Sequence, residues 1–184
     1  EGMTLPPFDT GYIAEFVGRM DLSGCDSLLD VGCGLGHIAL AVAPRLKTVV
    51  GLDHSPRMLE LFAQNAQAQG VTGASTLLRS WYEDWGDVPV CDIAVASRST
   101  AVMDMADALR KLNAKARKRV YLTSLVGGRF GDAAQLAASG QPAAPALPDH
   151  VYIVNILHAW GIHARVDFIG TQAGSKWALV SWDK

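Results

Sequence analysis

The chain of 184 residues carries 49% apolar and 18% charged residues and a formal charge of −2, ordinary for one globular domain with a sizeable core, so a single domain over residues 1–184 is expected. No excess of positive charge points to a nucleic-acid or membrane partner. No apolar run approaches the roughly 18 residues of a membrane span, and the start lacks the charged-then-apolar build of a secretory leader. Three scattered cysteines, Cys25, Cys33 and Cys91, fit neither a disulfide framework nor a zinc site, and the expectation is a soluble cytoplasmic protein with reduced thiols.

Glu1-Gly2 stand ahead of Met3 and carry no argument. Pro6-Pro7 marks a loop, and from a possible cap at Thr10 the residues Tyr12, Ile13, Phe16, Val17 and Met20 recur at helical spacing. Leu28 to Val31 reads as the first strand, a helix through Leu40 ends near Pro44, and Thr48 to Asp53 is the second strand. Ser55-Pro56 then opens a helix with a hydroxyl cap and a proline in the first turn. Met58, Leu61, Phe62 and Asn65 are expected on its inner face, and Gly70 stops it.

Ala74 to Leu78 is the third strand, and Cys91 to Ala96, uniformly small and apolar, suits a parallel strand buried on both faces. Val102, Met105, Leu109 and Leu112 mark a helix, and Val120 to Leu125 the fifth strand. Gly127 to Pro148 is too poor in large side chains to supply core and reads as a surface connection. Tyr152 to Trp160 is again helical, and Ala164 to Ile169 and Trp177 to Trp182 form a hairpin about Gln172-Ala173-Gly174. Five strands alternating with helices, then a hairpin, predict an α/β protein whose parallel sheet gains an antiparallel strand.

The chemistry concentrates in Leu28-Leu29-Asp30-Val31-Gly32-Cys33-Gly34-Leu35-Gly36-His37. A strand running into alternate glycines and then a helix makes a tight turn whose backbone a ligand can approach. A dinucleotide fingerprint would place its third glycine at position 37, where the chain has His37. Asp30, expected at the mouth of the site, disfavours a pyrophosphate and suits a ligand with a cationic amine.

With Asp53 closing the second strand, the pattern resembles the class I S-adenosylmethionine-dependent methyltransferases. The resemblance implies a Rossmann-like sheet of seven strands with helices on both faces, the last strand antiparallel beside the fifth. It also implies S-adenosylmethionine as cofactor. Asp30, Gly32, Cys33, Gly34 and Gly36 would then wrap its methionine portion, and Asp53 would accept hydrogen bonds from both ribose hydroxyls, with His54 beside it. Ser80-Trp81 stands where the family commonly has an acidic residue for the adenine amino group, followed by an apolar neighbour. Trp81 is either the adenine platform or plain core, and Glu83 or Asp84 could supply the missing acceptor if the loop folds back.

Ser97 would close the cofactor site after the fourth strand, and Arg98 either anchors an anionic acceptor through its fork of donors or pairs with a carboxylate. The segments Ala96 to Ser99, Arg119 to Thr123 and Tyr152 to Leu157 are similar to those of an uncharacterised subgroup of these enzymes. Methyl transfer needs mainly alignment, so a base is required only if the acceptor must lose a proton. His37, His54, His150, His158 and His163 are more often packing or surface residues, and no pair has metal-site spacing. The basic run Arg110, Lys111, Lys115, Arg117, Lys118, Arg119 reads as the solvated end of a helix, where cations favour the dipole. The expected partner is therefore a small-molecule acceptor, not nucleic acid. The rival readings are a non-catalytic module that binds S-adenosylmethionine and, from Asp53 alone, a nicotinamide-dependent oxidoreductase.

Overall fold

A computed structural model describes residues 10–126, 149–170 and 176–184. The strands are β1 (Ser27–Val31), β2 (Thr48–Asp53), β3 (Ala74–Leu78), β4 (Cys91–Ala96), β5 (Ala116–Leu125), β6 (Arg165–Gly170) and β7 (Lys176–Asp183). They form one seven-stranded sheet in the order β3-β2-β1-β4-β5-β7-β6. The first five pair in parallel, and β7 enters antiparallel between β5 and β6, as the sequence implied. Strand order reverses between β1 and β4, so the carboxyl ends of β1, β2 and β4 open a crevice at the switch point.

Helices α1 (Thr10–Gly18), α2 (His37–Val42) and α3 (Pro56–Ala68) cover one face, and α4 (Met105–Lys115) and α5 (His150–Ala159) the other. Period-two alternation divides the central strands between two cores. Leu28, Ile93 and Val95 pack with Tyr12, Phe16 and Phe62, while Leu29, Val31, Ala94 and Ala96 pack with Leu109, Leu112, Ile153 and Leu157. β4 is buried along its whole length, as its composition predicted. Ser55 caps α3 by accepting from Met58 N at 3.4 Å, and Gly70 follows that helix at φ 68°.

Three expectations are corrected. The inner face of α3 is Leu59, Phe62 and Ala66, one residue out of phase with the predicted stripe, while Met58 is exposed; Asn65 instead donates through Nδ2 to Leu35 O at 2.9 Å, tying α3 to the glycine turn. Met20 and Val102 lie outside the helices whose periodicity they joined, although Met20 is buried. β5 begins at Ala116, directly after α4, so Arg117, Lys118 and Arg119 are strand residues rather than a helix terminus. They lack the apolar pattern of a strand because carboxylates and carbonyls take their charges: Arg117 Nε stands 3.1 Å from Asp92 Oδ1, Lys118 donates to Gly24 O, and Arg119 Nη2 lies 2.8 Å from Asp21 Oδ2. The surface connection expected over 127–148 and the turn at 172–174 lie outside the described residues.

The β3 to β4 connection, residues 79–90, contains no helix. Two indoles cover the sheet there: Trp85 is buried, and Trp81 stacks on it with ring centroids 5.2 Å apart.

Candidate functional site

The turn after β1 is pinned to β2, since Gly32 N and Cys33 N both donate to Leu52 O, at 2.7 and 3.1 Å. Gly32, Gly34 and Gly36 have φ of 69°, 50° and 83°, a region costly for residues with a Cβ. At Gly36 a Cβ would also stand 2.6 Å from the Phe62 ring, whereas at Gly34 it would meet nothing within 4 Å. The turn therefore presses α2 onto α3 at one end and opens to free space in its middle.

Asp53 ties this turn to the end of β2. Its Oδ2 accepts from Gly34 N and its Oδ1 from Ser55 N, both at 2.9 Å, and His54 Nδ1 lies 3.3 Å from Oδ1. A carboxylate offers about four lone-pair sites, so two remain after the backbone bonds. The residue is almost fully buried, yet it lines a cavity of about 430 Å³ at the ends of β1, β2 and β4.

Of the residues singled out from the sequence, Gly32, Asp53, His54, Ser80, Trp81 and Arg98 line this cavity. Asp30 does not stand at its mouth. It is 2% exposed beneath the turn, where Oδ2 accepts from Ala39 N at 3.3 Å, and burial first, with the nearby charge of Asp53 adding to it, pushes its acid up to about 7. Cys33 is also buried, its sulfur against the backbone of Gly51, and burial raises its thiol well above the usual range. An inert thiol follows. Gly34 and Gly36 frame the turn without lining the cavity.

Ser97 turns the other way. Its Oγ is 2.8 Å from the Tyr12 hydroxyl, which also lies 3.1 Å from Thr123 Oγ1. Arg98 follows at φ 56°, the one positive-φ residue other than glycine among the described residues, with its N–H donating to Thr123 Oγ1 at 2.9 Å. Its guanidinium lies 3.7 Å from the Tyr12 ring centroid and 5.3 Å from that of Trp177. A strained backbone with a side chain held on aromatic faces belongs to a position that the surroundings over-determine.

Ser80 Oγ accepts from Tyr82 N at 3.0 Å, and Glu83 folds back so that Oε2 accepts from Ser80 N at 2.5 Å; Asp84 Oδ2 accepts from Gly86 N instead. Trp81 Nε1 donates to Ser99 O at 2.9 Å. Ser99 carries a role that the sequence pattern does not distinguish from that of its neighbours: its Oγ donates to Val31 O at 2.6 Å, and a Cβ on Gly32 would fall 2.2 Å from its own Cβ. Close approach of the two strand ends thus explains why position 32 is glycine. Tyr12 was legible only as one member of an apolar stripe, because periodicity reports burial and says nothing of a hydroxyl's partner.

Sheet order, a glycine turn ending β1 and a buried acid ending β2 define a Rossmann-like, nucleotide-cofactor class of fold. The chain belongs to the methyltransferase domain family, whose model matches residues 28–121, and the cofactor of that family is S-adenosylmethionine. A Haemophilus influenzae protein named as uncharacterized is 38% identical over 165 residues, covering 90% of this chain and 61% of its own. A protein of Nitratidesulfovibrio vulgaris named as an uncharacterized RNA methyltransferase is 35% identical over 97 residues, covering 48% of this chain and 21% of its own. The chain therefore spans less than two thirds of either relative. Among solved structures, magnesium protoporphyrin IX methyltransferase from Synechocystis with bound S-adenosylhomocysteine superposes with a TM-score of 0.72 at 19% identity, covering 94% of this chain and 80% of that one. The YcgJ protein of Bacillus subtilis gives 0.73 at 15% identity, covering 94% and 97%. These likenesses establish the fold.

Proposed function

We propose that this chain binds S-adenosylmethionine in the cavity between the glycine turn and Asp53 and transfers its methyl group to a small-molecule acceptor over the ends of β4 and β5. The observation that carries the reading is the pairing of Asp53 with Gly34: one carboxylate fixes the turn and still has two acceptor sites at the cavity wall, which suits a ribose diol. The open space over Gly34 fits the same group. Gly32 and Gly34 would hold the methionine portion above Asp30 and Cys33, with Gly36 shaping the turn, and Ser80 and Trp81 would face the adenine. Ser97 would position the Arg98 segment from behind, and the guanidinium of Arg98 would meet the acceptor.

When bound, S-adenosylmethionine supplies an already activated methyl group, so the protein's task is alignment and exclusion of water. The stacked indoles and the Asp53 tie supply a rigid wall for that purpose. The proposed domain is the whole of residues 1–184, and three buried thiols are in keeping with a reducing cytoplasm.

An RNA acceptor is the second reading, favoured by the names of relatives such as the Nitratidesulfovibrio protein. Against it, the cations of the basic run have partners within the chain. Arg110 lies over Trp160, Lys111 and Lys115 bind backbone carbonyls, and residues 117–119 are taken as described above. Calorimetric titration with S-adenosylmethionine, S-adenosylhomocysteine and NAD tests the cofactor, with binding of the two sulfur compounds and none of NAD expected; binding of NAD alone would overturn the reading. A salt-independent activity on small acceptors, against a steeply salt-dependent one on RNA, separates the two acceptor classes.

A further inference from the structure

The adenine end of the cavity is bounded by residues 79–90, a crossover with no helix of its own. A loop without helical hydrogen bonds holds its shape only through ties made elsewhere. At the end of the loop that lines the cavity, two of the ties come from one side chain of α4. Lys111 Nζ donates to Trp81 O at 2.5 Å and to Glu83 O at 3.1 Å, and lies 2.9 Å from Asp107 Oδ2. Its ammonium also sits 5.7 Å from the centroid of Trp85, the indole on which Trp81 stacks. Only 19% of the Lys111 side chain is exposed.

Three donors on a tetrahedral ammonium match two carbonyls and one carboxylate, and the long stem lets α4 reach under the loop. The far end of the loop is held by Lys115 Nζ, also of α4, which donates to Val88 O at 2.7 Å, and by Arg117 Nη1 of β5, which donates to Val90 O at 2.6 Å; further ties include Trp81 Nε1 to Ser99 O, Trp85 Nε1 to Ser80 O at 2.9 Å, and Arg79 Nη2 to Asp87 Oδ2 at 2.6 Å. At the cavity end of the loop, residues 79–83, Lys111 is the helix side chain that holds the backbone.

We propose that Lys111 is a positioning residue for the cofactor: by clamping the carbonyls of Trp81 and Glu83 it sets the depth of the Trp81 indole that walls the adenine end. It touches no ligand and acts through Trp81. The inference rests on the proposed cofactor reading.

The test uses the full chain and compares Lys111→Met, which keeps most of the stem, with Lys111→Arg and Asp107→Asn. Dissociation constants for S-adenosylhomocysteine and for 5′-methylthioadenosine, which lacks the amino-acid end, are measured with thermal melting and amide hydrogen exchange over residues 79–90. K111M should weaken both ligands about tenfold, the scale of a lost base–indole contact, and speed exchange of the loop amides. K111R should recover most of the affinity, and D107N, which leaves both carbonyl bonds in place, should stay within about twofold. Unchanged affinity in folded K111M, or unchanged loop exchange, overturns the role of Lys111, as does a melting temperature that falls with affinity intact. An unmutated protein that binds neither ligand overturns the cofactor reading itself and this inference with it.

Discussion

Replacing Asp53 is the sharpest perturbation the site allows, because one carboxylate serves both the turn and the proposed ligand. Its Oδ2 holds Gly34 N and its Oδ1 holds Ser55 N, each at 2.9 Å. Asp53→Asn keeps the volume and one acceptor oxygen, so one backbone N–H stays satisfied while the other faces an amide NH₂. The variant also loses the negative charge and at least one of the proposed ribose bonds; a hydrogen bond to a charged group is worth about 1.5–3 kcal/mol. The dissociation constant for S-adenosylmethionine should therefore rise about 10- to 150-fold. Asp53→Ala strands both N–H groups, each costing about 1–3 kcal/mol of stability where buried, so a lower melting temperature should accompany weaker binding. Calorimetry with S-adenosylmethionine and S-adenosylhomocysteine, alongside thermal melts, separates the two losses. A folded D53N protein with unchanged affinity would remove Asp53 from the site.

Burial disfavours the charge of Asp30 and pushes its acid up to about 7, and the cationic amine proposed to lie above it would prefer the carboxylate; S-adenosylmethionine affinity measured calorimetrically should rise as pH climbs through 7. In the free protein the sign is opposite. A folded-state value raised from 3.8 to about 7 contributes stability below 3.8 that is lost between those limits, so Asp30→Asn should melt higher than the unmutated chain at pH 8. Asp92 is held down at about 2, first by the backbone N–H of Asp26 and then by Arg117 and Lys118, with burial opposing them. Its contribution is present above 3.8 and lost as pH falls through 2; Asp92→Asn should lower the melting temperature at pH 7, and that difference should shrink away as pH falls through 2. Arg98→Gln should slow turnover of an acceptor while calorimetry finds S-adenosylhomocysteine affinity intact, and a loss of cofactor binding would move Arg98 into the cofactor site.

Much of the architecture was legible because it is written in local patterns. β3 and β4 fall where alternation, small apolar residues and flanking turns placed them, and the Ser55-Pro56 start of α3 follows from capping chemistry that needs no distant partner. The local pattern misleads where charge or phase is settled elsewhere in the molecule. The first residues of β5 read as a helix tail, since nothing near Arg117 in the chain announces Asp92, 25 residues away. The stripe on α3 slipped by one position, since Met58 and Leu59 are equally apolar and only the sheet beneath the helix chooses between them.

The candidate site divides in the same way. Glycines at alternate positions after a strand, and an aspartate ending the next strand, are confined to short segments, so the sequence by itself determined the turn, the cofactor class and the family. Tertiary structure decided which groups stand together and in what state. It buried Asp30 and Cys33 beneath the turn, set Ser99 against Gly32, turned Ser97 toward Tyr12 and laid Arg98 over an aromatic face. It also gave Lys111, one of six cations in a run, the backbone of a loop some 30 residues away. Backbone conformation follows from residue type and near neighbours, whereas burial, charge state and hydrogen-bond partners depend on the packing of segments remote in sequence.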